Sequence, residues 1–126
     1  MTRVLLVDDS SAMRHFVARA LRMTGLDIAI DEAENGLVAI EKAYRIRPDI
    51  IITDLCMPEM SGQELVARVH ASPELNATRV LVLSADRSDE RLDEMVRAGA
   101  AAYLTKPATP EILKNSLITM LETESE

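Results

Sequence analysis

Aromatic residues and cysteine are scarce in this chain of 126 residues, which has no Trp, one Phe, two Tyr and one Cys. The core must therefore be built from aliphatic side chains and Met, and too few aromatic rings are present to flank a flavin. The single cysteine, Cys56, excludes an internal disulfide and fits a reducing compartment.

A basic surface and a membrane-spanning segment are also absent. The formal net charge of −7 argues against a nucleic-acid partner, because binding a polyanion requires clustered Lys and Arg. No apolar run is long enough to cross a bilayer, and the N-terminus leads into a predicted strand without a signal-peptide pattern. We therefore expect a cytoplasmic protein with no nucleic-acid partner and no membrane insertion.

Short apolar runs and helical periods alternate along the chain. The runs are rich in β-branched residues and predict strands over residues 3–7, 28–33, 49–53, 79–84 and 101–104. Apolar residues at helical spacing predict helices over residues 11–24, 36–46, 62–70, 89–97 and 110–122. Five strand–helix repeats predict one α/β domain with a five-stranded parallel sheet and helices on both faces. We expect this domain to span residues 1–122 and a short acidic tail, 123–126, to fray.

Polar side chains gather where four of the five predicted strands end. Asp8 and Asp9 follow the first strand, Asp54 follows the third, Ser84 ends the fourth and Lys106 follows the fifth. The carboxyl ends of parallel strands share one edge of the sheet, where ligands bind in open α/β folds. Neighbouring carboxylates repel each other, so they require a cation or raised pKa values. Mg²⁺ prefers oxygen ligands and commonly accompanies phosphate, so we predict a Mg²⁺ site here.

These residue types also suit phosphoryl transfer. A carboxylate can attack phosphorus and form an acyl phosphate, while an ammonium and a hydroxyl can contact the phosphoryl oxygens. Taken singly, each residue has a plainer interpretation: Asp8 or Asp9 as a helix cap, Asp54 as a turn residue, Lys106 as a surface lysine. Their coincidence at one edge favours a functional site.

Four segments of the chain together resemble a known family. Val7-Asp8-Asp9-Ser10, the run from Asp54 to Gly62, Ser84-Ala85 and Lys106-Pro107 are similar to the receiver domain of bacterial two-component response regulators, and the resemblance covers about residues 2–121. It implies a flavodoxin-like (βα)5 sandwich with strand order 2-1-3-4-5. It also implies a phosphorylation-activated signalling domain, not an enzyme with a separate substrate. The phosphoryl group would come from the phosphohistidine of a sensor histidine kinase or phosphotransfer protein.

The resemblance implies a role for each residue at the edge. Asp54 would be the phosphoacceptor. Asp9, Asp54 and the backbone carbonyl of Cys56 would bind Mg²⁺, with Asp8 acting partly through water. Lys106 would pair with the carboxylate and then with the phosphoryl group, and the Lys106–Pro107 peptide bond would be cis.

The resemblance further implies a conformational switch. Ser84 would turn toward the phosphoryl group and Tyr103 would turn inward behind it, although Tyr103 could equally be a half-buried core residue. The face formed by the fourth helix, fifth strand and fifth helix would then bind a downstream protein target. Cys56 and Asp86, two residues after Asp54 and Ser84 respectively, would tune the rate of dephosphorylation.

Several alternatives stay open. Because the chain ends soon after the last predicted helix, we expect a single-domain regulator without a DNA-binding output, acting as a monomer or a phosphorylation-dependent dimer. The chain could instead be a receiver excised from a longer regulator. A Mg²⁺-dependent phosphatase with an aspartyl nucleophile is another candidate, but such enzymes usually carry a second acid where Cys56 stands. A flavodoxin-like cofactor binder would require a phosphate loop free of the acidic pair after the first strand.

Overall fold

The structure is a computed structural model that describes residues 1–86 and 88–124, with the side chains of residues 123 and 124 excepted. The strands are β1 (Thr2–Val7), β2 (Ile28–Ala33), β3 (Ile50–Asp54), β4 (Arg79–Ser84) and β5 (Ala102–Thr105). The helices are α1 (Ser11–Arg22), α2 (Gly36–Ile46), α3 (Gly62–Ala71), α4 (Asp89–Ala98) and α5 (Pro110–Glu124). A single 3₁₀ turn over Pro73–Leu75 precedes β4 and was not predicted from the sequence.

Each helix begins at a residue whose side chain satisfies a free backbone N–H of the first turn. The side-chain oxygen accepts from the amide three residues further on at Ser10, Asn35, Ser61, Ser88 and Thr109. Caps of this kind stabilise a helix by about 1 kcal/mol each. They also fix where each helix starts relative to the strand before it, which matters because the predicted site lies in those loops.

The five strands form one parallel sheet in the order β2-β1-β3-β4-β5, which confirms the predicted fold. Val7 pairs with Thr53 across β1 and β3, so the residues that follow them, Asp8 and Asp54, emerge side by side. Ser84 pairs with Thr105 across β4 and β5, which places Lys106 one residue beyond that pair. The register therefore delivers the polar residues to one edge.

Apolar side chains fill both faces of the sheet. Leu5 and Val7 belong to a buried cluster that contains residues of α2, α3 and α4. Their neighbours Val4 and Leu6 point the other way, into a cluster formed with α1 and α5. Successive side chains of a strand alternate between faces, so a strand covered on both sides must be apolar throughout. This explains the uninterrupted apolar runs in the sequence.

Both chain-terminal helices differ slightly from their predicted bounds. Helix α1 ends at Arg22, two residues early, where the Thr24 hydroxyl donates to the Leu21 carbonyl at 2.6 Å and Gly25 takes a φ of 78°. Helix α5 includes residues 123 and 124 of the predicted tail, and residues 125 and 126 lie outside the described residues. Across the described ranges, no helix is both long and apolar enough to span a bilayer.

Candidate functional site

Three carboxylates meet at the carboxyl edge of the sheet, as the sequence predicts. One oxygen from each of Asp8, Asp9 and Asp54 lies within 4.8 Å of the other two. Asp8 is buried, Asp54 is half-buried and Asp9 is exposed, so the cluster has a closed side and a side open to solvent. Such a set of hard oxygen donors at the mouth of a fold fits a small divalent cation.

The surroundings of Asp8 disfavour its charge. Loss of hydration is the largest cause and raises the pKa of its carboxyl group above the ordinary aspartate value. The Ser10 amide, which donates to Asp8 Oδ1 at 2.9 Å, opposes this, whereas the charge of Asp54 adds to it. Lys106 also opposes the rise but does not cancel it. Among the described residues, burial and the charge of Asp54 therefore outweigh Lys106 and the Ser10 amide at Asp8.

Lys106 is the cation inside the cluster. Its ammonium donates to Asp54 Oδ1 at 3.2 Å and lies 3.8 Å from Asp8 Oδ2. Its backbone amide donates to the Ser84 carbonyl at 2.8 Å, which joins the ends of β4 and β5. The peptide bond between Lys106 and Pro107 is cis. Within the described part of the chain, one ammonium lies against three carboxylates, so these four groups together are net negative.

Arg14 is a second cation near the cluster, and sequence reasoning missed it. Its Nη1 donates to the backbone carbonyl of Asp8 at 2.6 Å, and its Nε donates to Glu32 Oε1 at 2.8 Å. The arginine thus ties the loop that carries Asp8 to the end of β2. The only clue in the sequence is a basic residue in the first helix, and that pattern is too common to assign a contact.

Ser84 and Tyr103 are both connected to Asp86. The buried hydroxyl of Ser84 accepts from the Asp86 amide at 3.1 Å, and the Tyr103 hydroxyl donates to the Asp86 carbonyl at 2.7 Å. The Asp86 carboxylate accepts from the Ser88 amide at 2.8 Å and lies 3.4 Å from Arg91 Nε. The Ser88 hydrogen bond is the main reason that the pKa of Asp86 is lowered. Asp86 therefore organises the loop between β4 and α4, a role that the sequence does not reveal.

The loop between β3 and α3 folds back over Asp54. The Gly62 amide donates to the Leu55 carbonyl at 2.8 Å, and a Cβ atom at Gly62 would lie only 2.3 Å from the Asp54 carbonyl oxygen. Only glycine allows this approach, whereas the sequence pattern pointed to Gly62 merely as part of a helix start. Exposed Cys56 belongs to the same loop, and the use of its carbonyl as a metal ligand stays a prediction.

A cavity of about 410 Å³ opens beside Asp9, the exposed carboxylate of the cluster. Cys56, Ser61 and Arg91 also line it. The exposed member of the acidic cluster thus faces a space large enough for a small polar ligand.

Residues 4–118 match the family described as the response regulator receiver domain. The chain belongs to this family. The resemblance drawn from the sequence is thereby confirmed, and the receiver is a domain of two-component signalling.

Similar receivers occur in proteins of different lengths. The receiver is 35% identical over 120 residues to the chemotaxis protein CheY-3 of Vibrio cholerae, covering 95% of this chain and 92% of that protein. It is 35% identical over 117 residues to the transcriptional regulatory protein YdfI of Bacillus subtilis, covering 93% of this chain but 54% of that protein. A similar receiver thus forms nearly all of one relative and about half of another.

The fold agrees with solved structures as well. The Vibrio cholerae chemotaxis protein CheY4 superposes with a TM-score of 0.86 at 35% identity, covering 95% of this chain and 98% of that one. The structure brings together Asp8, Asp9, Asp54 and Lys106, whereas the Ser84 hydroxyl accepts from the Asp86 amide. The chemical roles assigned to these residues and to Tyr103 stay predictions.

Proposed function

We propose that this receiver accepts a phosphoryl group on Asp54 from the phosphohistidine of a sensor histidine kinase or a phosphotransfer protein. The observation that carries the proposal is the 3.2 Å contact between the Lys106 ammonium and Asp54 Oδ1 within the three-carboxylate cluster. A carboxylate oxygen of Asp54 attacks phosphorus and forms an acyl phosphate. The phosphorus–nitrogen bond breaks, and the imidazole leaves with the electron pair and takes up a proton.

Asp9 and Asp54, with the Cys56 carbonyl, are the groups that would hold Mg²⁺ directly, and Asp8 would act partly through water. The bound ion supplies positive charge that offsets the charges of the carboxylates and the phosphoryl oxygens. The raised pKa of Asp8 supports this assignment, because burial and the neighbouring Asp54 disfavour its charge, which a bound cation would favour.

The Lys106 ammonium changes its partner as the phosphoryl group is transferred. The ammonium first neutralises Asp54 and then contacts an oxygen of the transferred group, so that the negative charge is never left unpaired. Nζ lies 3.8 Å from Asp8 Oδ2 and 3.2 Å from Asp54 Oδ1, so it starts the exchange next to the oxygen that would carry the phosphoryl group.

After transfer, the Ser84 hydroxyl turns away from the Asp86 amide and toward the phosphoryl group. When the Ser84 hydroxyl turns to donate to a phosphoryl oxygen, the hydrogen bond from the Asp86 amide is lost. The Tyr103 hydroxyl holds the same residue through its carbonyl, so the loop and Tyr103 rearrange together. Cys56, which lines the cavity beside Asp9, and Asp86, whose amide donates to Ser84, tune how quickly water removes the phosphoryl group.

The surface that responds is formed by α4, β5 and α5. Leu92, Val96 and Ile112 expose apolar side chains there, at 39%, 60% and 45% respectively. A downstream protein target would bind this face after phosphorylation, and a second copy of the receiver is the alternative occupant. The receiver acts in the cytoplasm as a phosphoacceptor with self-catalysed transfer and dephosphorylation, either alone or within a longer regulator.

Intact-mass measurement after incubation with acetyl phosphate and Mg²⁺ tests the proposal. We expect one adduct of about 80 Da on the wild type, and none on Asp54→Asn or without Mg²⁺. Asp49→Asn serves as a matched control, because Asp49 accepts from the Arg3 amide away from the cluster. An adduct that survives Asp54→Asn would overturn the assignment of the acceptor.

A further inference from the structure

A second cavity lies at the opposite edge of the sheet from Asp54. It has a volume of about 330 Å³ and is bordered by the first residues of β4, the end of α3 and the residues that lead into β5. This volume falls within the lower part of the range for small-molecule sites, roughly 300–1,000 Å³. The phosphoacceptor site does not use any of the residues that line it.

The cavity contains an arginine, Arg79, whose side chain makes no hydrogen bond or ion pair to another described residue. Arg79 lines it, and its Nε is removed from solvent and has no hydrogen-bond acceptor within the described part of the chain. Arg3 also has a buried Nε, but its Nη2 pairs with Asp31 at 3.4 Å. No carboxylate of the described residues pairs with Arg79. The described residues therefore leave donors of the Arg79 guanidinium unused, and the side chain as a whole is half-buried, so its outer nitrogens are the ones that a ligand would contact.

Two further polar side chains converge on the same space. His70 and Asn76 line the cavity, and neither makes a side-chain hydrogen bond to another described residue. The His70 ring packs so closely over Gly99 that a Cβ atom there would lie 2.6 Å from it. Apolar residues also line the cavity, namely Ala100 and Ala101, which are accessible, and Val66 and Val80, which are almost fully buried. Directed donors beside apolar side chains are typical of small-molecule sites.

We propose that this cavity binds a small organic monocarboxylate. The planar fork of Arg79 matches a carboxylate, which can accept two parallel hydrogen bonds from it. Ala100 and Ala101 would contact an apolar body, and His70 and Asn76 would donate to the remaining acceptors. A phosphate dianion fits less well, because Arg79 is the one permanent cation among the lining residues.

A titration followed by ¹H–¹⁵N NMR tests the proposal, with benzoate as the probe and benzyl alcohol as its neutral counterpart. We expect benzoate to shift the amides of Val80, Ala100 and Ala101 saturably, and benzyl alcohol to bind at least about tenfold more weakly. Inorganic phosphate distinguishes a general anion site from a carboxylate site. Absence of saturable shifts with benzoate, or equal affinity for benzyl alcohol or phosphate, would overturn the proposal.

Substitutions at Arg79 and Arg68 distinguish benzoate binding in the cavity from attraction of benzoate to positive charge elsewhere on the surface. Arg79→Gln should weaken benzoate binding about tenfold and Arg79→Lys should weaken it less, since lysine keeps the charge but loses the fork. Arg68→Gln removes an exposed charge from α3 outside the cavity and should leave binding unchanged. Unchanged affinity in Arg79→Gln contradicts the proposal. Should that variant fail to fold, the comparison of benzoate with benzyl alcohol on the wild type still decides it.

The proposal is independent of phosphorylation. Asp54→Asn should bind benzoate as the wild type does, because the cavity lies at the amino end of β4 and Asp54 at the carboxyl end of β3. Loss of benzoate binding in Asp54→Asn would contradict a separate site at this edge.

Discussion

The surroundings of strand β3 change completely over its five residues. Ile50 and Ile51 are inaccessible to solvent and pack into the two apolar clusters on opposite faces of the sheet. Asp54, at the end of the same strand, lies among two other carboxylates and one ammonium. The interior of the sheet is therefore built for stability. Its carboxyl edge holds charges that the fold compensates only in part, a cost common at functional sites.

The largest stability change should come from the interior. Leu81 is fully buried in the cluster beneath α1 and α5, so Leu81→Ala should destabilise the protein by about 3 kcal/mol. Leu92→Ala, on the exposed face of α4, should cost roughly 0.5 kcal/mol. Urea unfolding measures both. Equal losses in the free energy of unfolding for the two variants would contradict the distinction between a close-packed interior and an adaptable surface.

Substitution of Gly62 should affect both the stability of the protein and the position of Asp54. In Gly62→Ala the new Cβ meets the Asp54 carbonyl oxygen and the Leu55 backbone, so the loop must move, at a cost of roughly 2 kcal/mol. Phosphoryl uptake from acetyl phosphate should fall with it, because Asp54 is displaced.

Gly25→Ala is the control for this variant, since nothing lies near its Cβ but its φ is 78°. It should cost about 1 kcal/mol through backbone strain and leave phosphoryl uptake unchanged. Equal loss of uptake in both variants would refute a specific role for the close approach at Gly62.

Substitution of Asp8 should stabilise the protein, in contrast to the destabilising substitutions above. Because the folded-state pKa of Asp8 is raised, the native protein binds more protons than the unfolded chain, and stability falls as pH rises above an ordinary aspartate pKa of 3.8. Asp8→Asn keeps an oxygen for the Ser10 amide but removes the charge. Urea unfolding without Mg²⁺ should therefore show Asp8→Asn to be about 1 kcal/mol more stable than the wild type at pH 7. The gain should shrink as pH falls toward 4, and a gain independent of pH would contradict the electrostatic cause.

The smallest stability change should come from the hydrogen bond between Tyr103 in β5 and Asp86, which connects the carboxyl edge to the surface formed by α4, β5 and α5. Tyr103→Phe removes the hydrogen bond to the Asp86 carbonyl and should cost about 1 kcal/mol or less. Tyr44→Phe removes a comparable bond to the Ser72 hydroxyl, remote from the edge. Both variants should lose similar stability, but only Tyr103→Phe should shift the NMR amide signals of Asp86 and Ser88. Shifts of the same size in both variants would argue against this link.

The fold could be predicted from the sequence because its main elements leave local marks. Strands buried on both faces must be apolar throughout, and helix starts such as Ser61 and Thr109 show their caps directly. The positions of the three carboxylates could be predicted for the same reason, since each lies at or just after the end of a strand that its apolar run marks in the sequence. The strand order came from the family resemblance, because alternation alone does not specify which strands are neighbours.

Contacts across elements could not be predicted in this way. The bonds from Arg14 to the Asp8 carbonyl and from Tyr103 to the Asp86 carbonyl depend on side-chain direction between segments far apart in sequence. The close approach at Gly62, and the Arg79 Nε that has no acceptor among the described residues, depend on how the loops and the 3₁₀ turn pack. Such features need coordinates, because no periodicity or motif encodes them.

Thermal unfolding of the wild type and Asp8→Asn, each with and without Mg²⁺, tests most directly whether the carboxyl edge holds uncompensated charge. Without Mg²⁺, Asp8→Asn should unfold roughly 4 °C above the wild type. Saturating Mg²⁺ should raise the wild-type Tm and reduce or reverse that gap, because binding to the native state stabilises it and the variant has lost one acidic group. A metal-free variant no more stable than the wild type, or a wild-type Tm indifferent to Mg²⁺, would contradict the account.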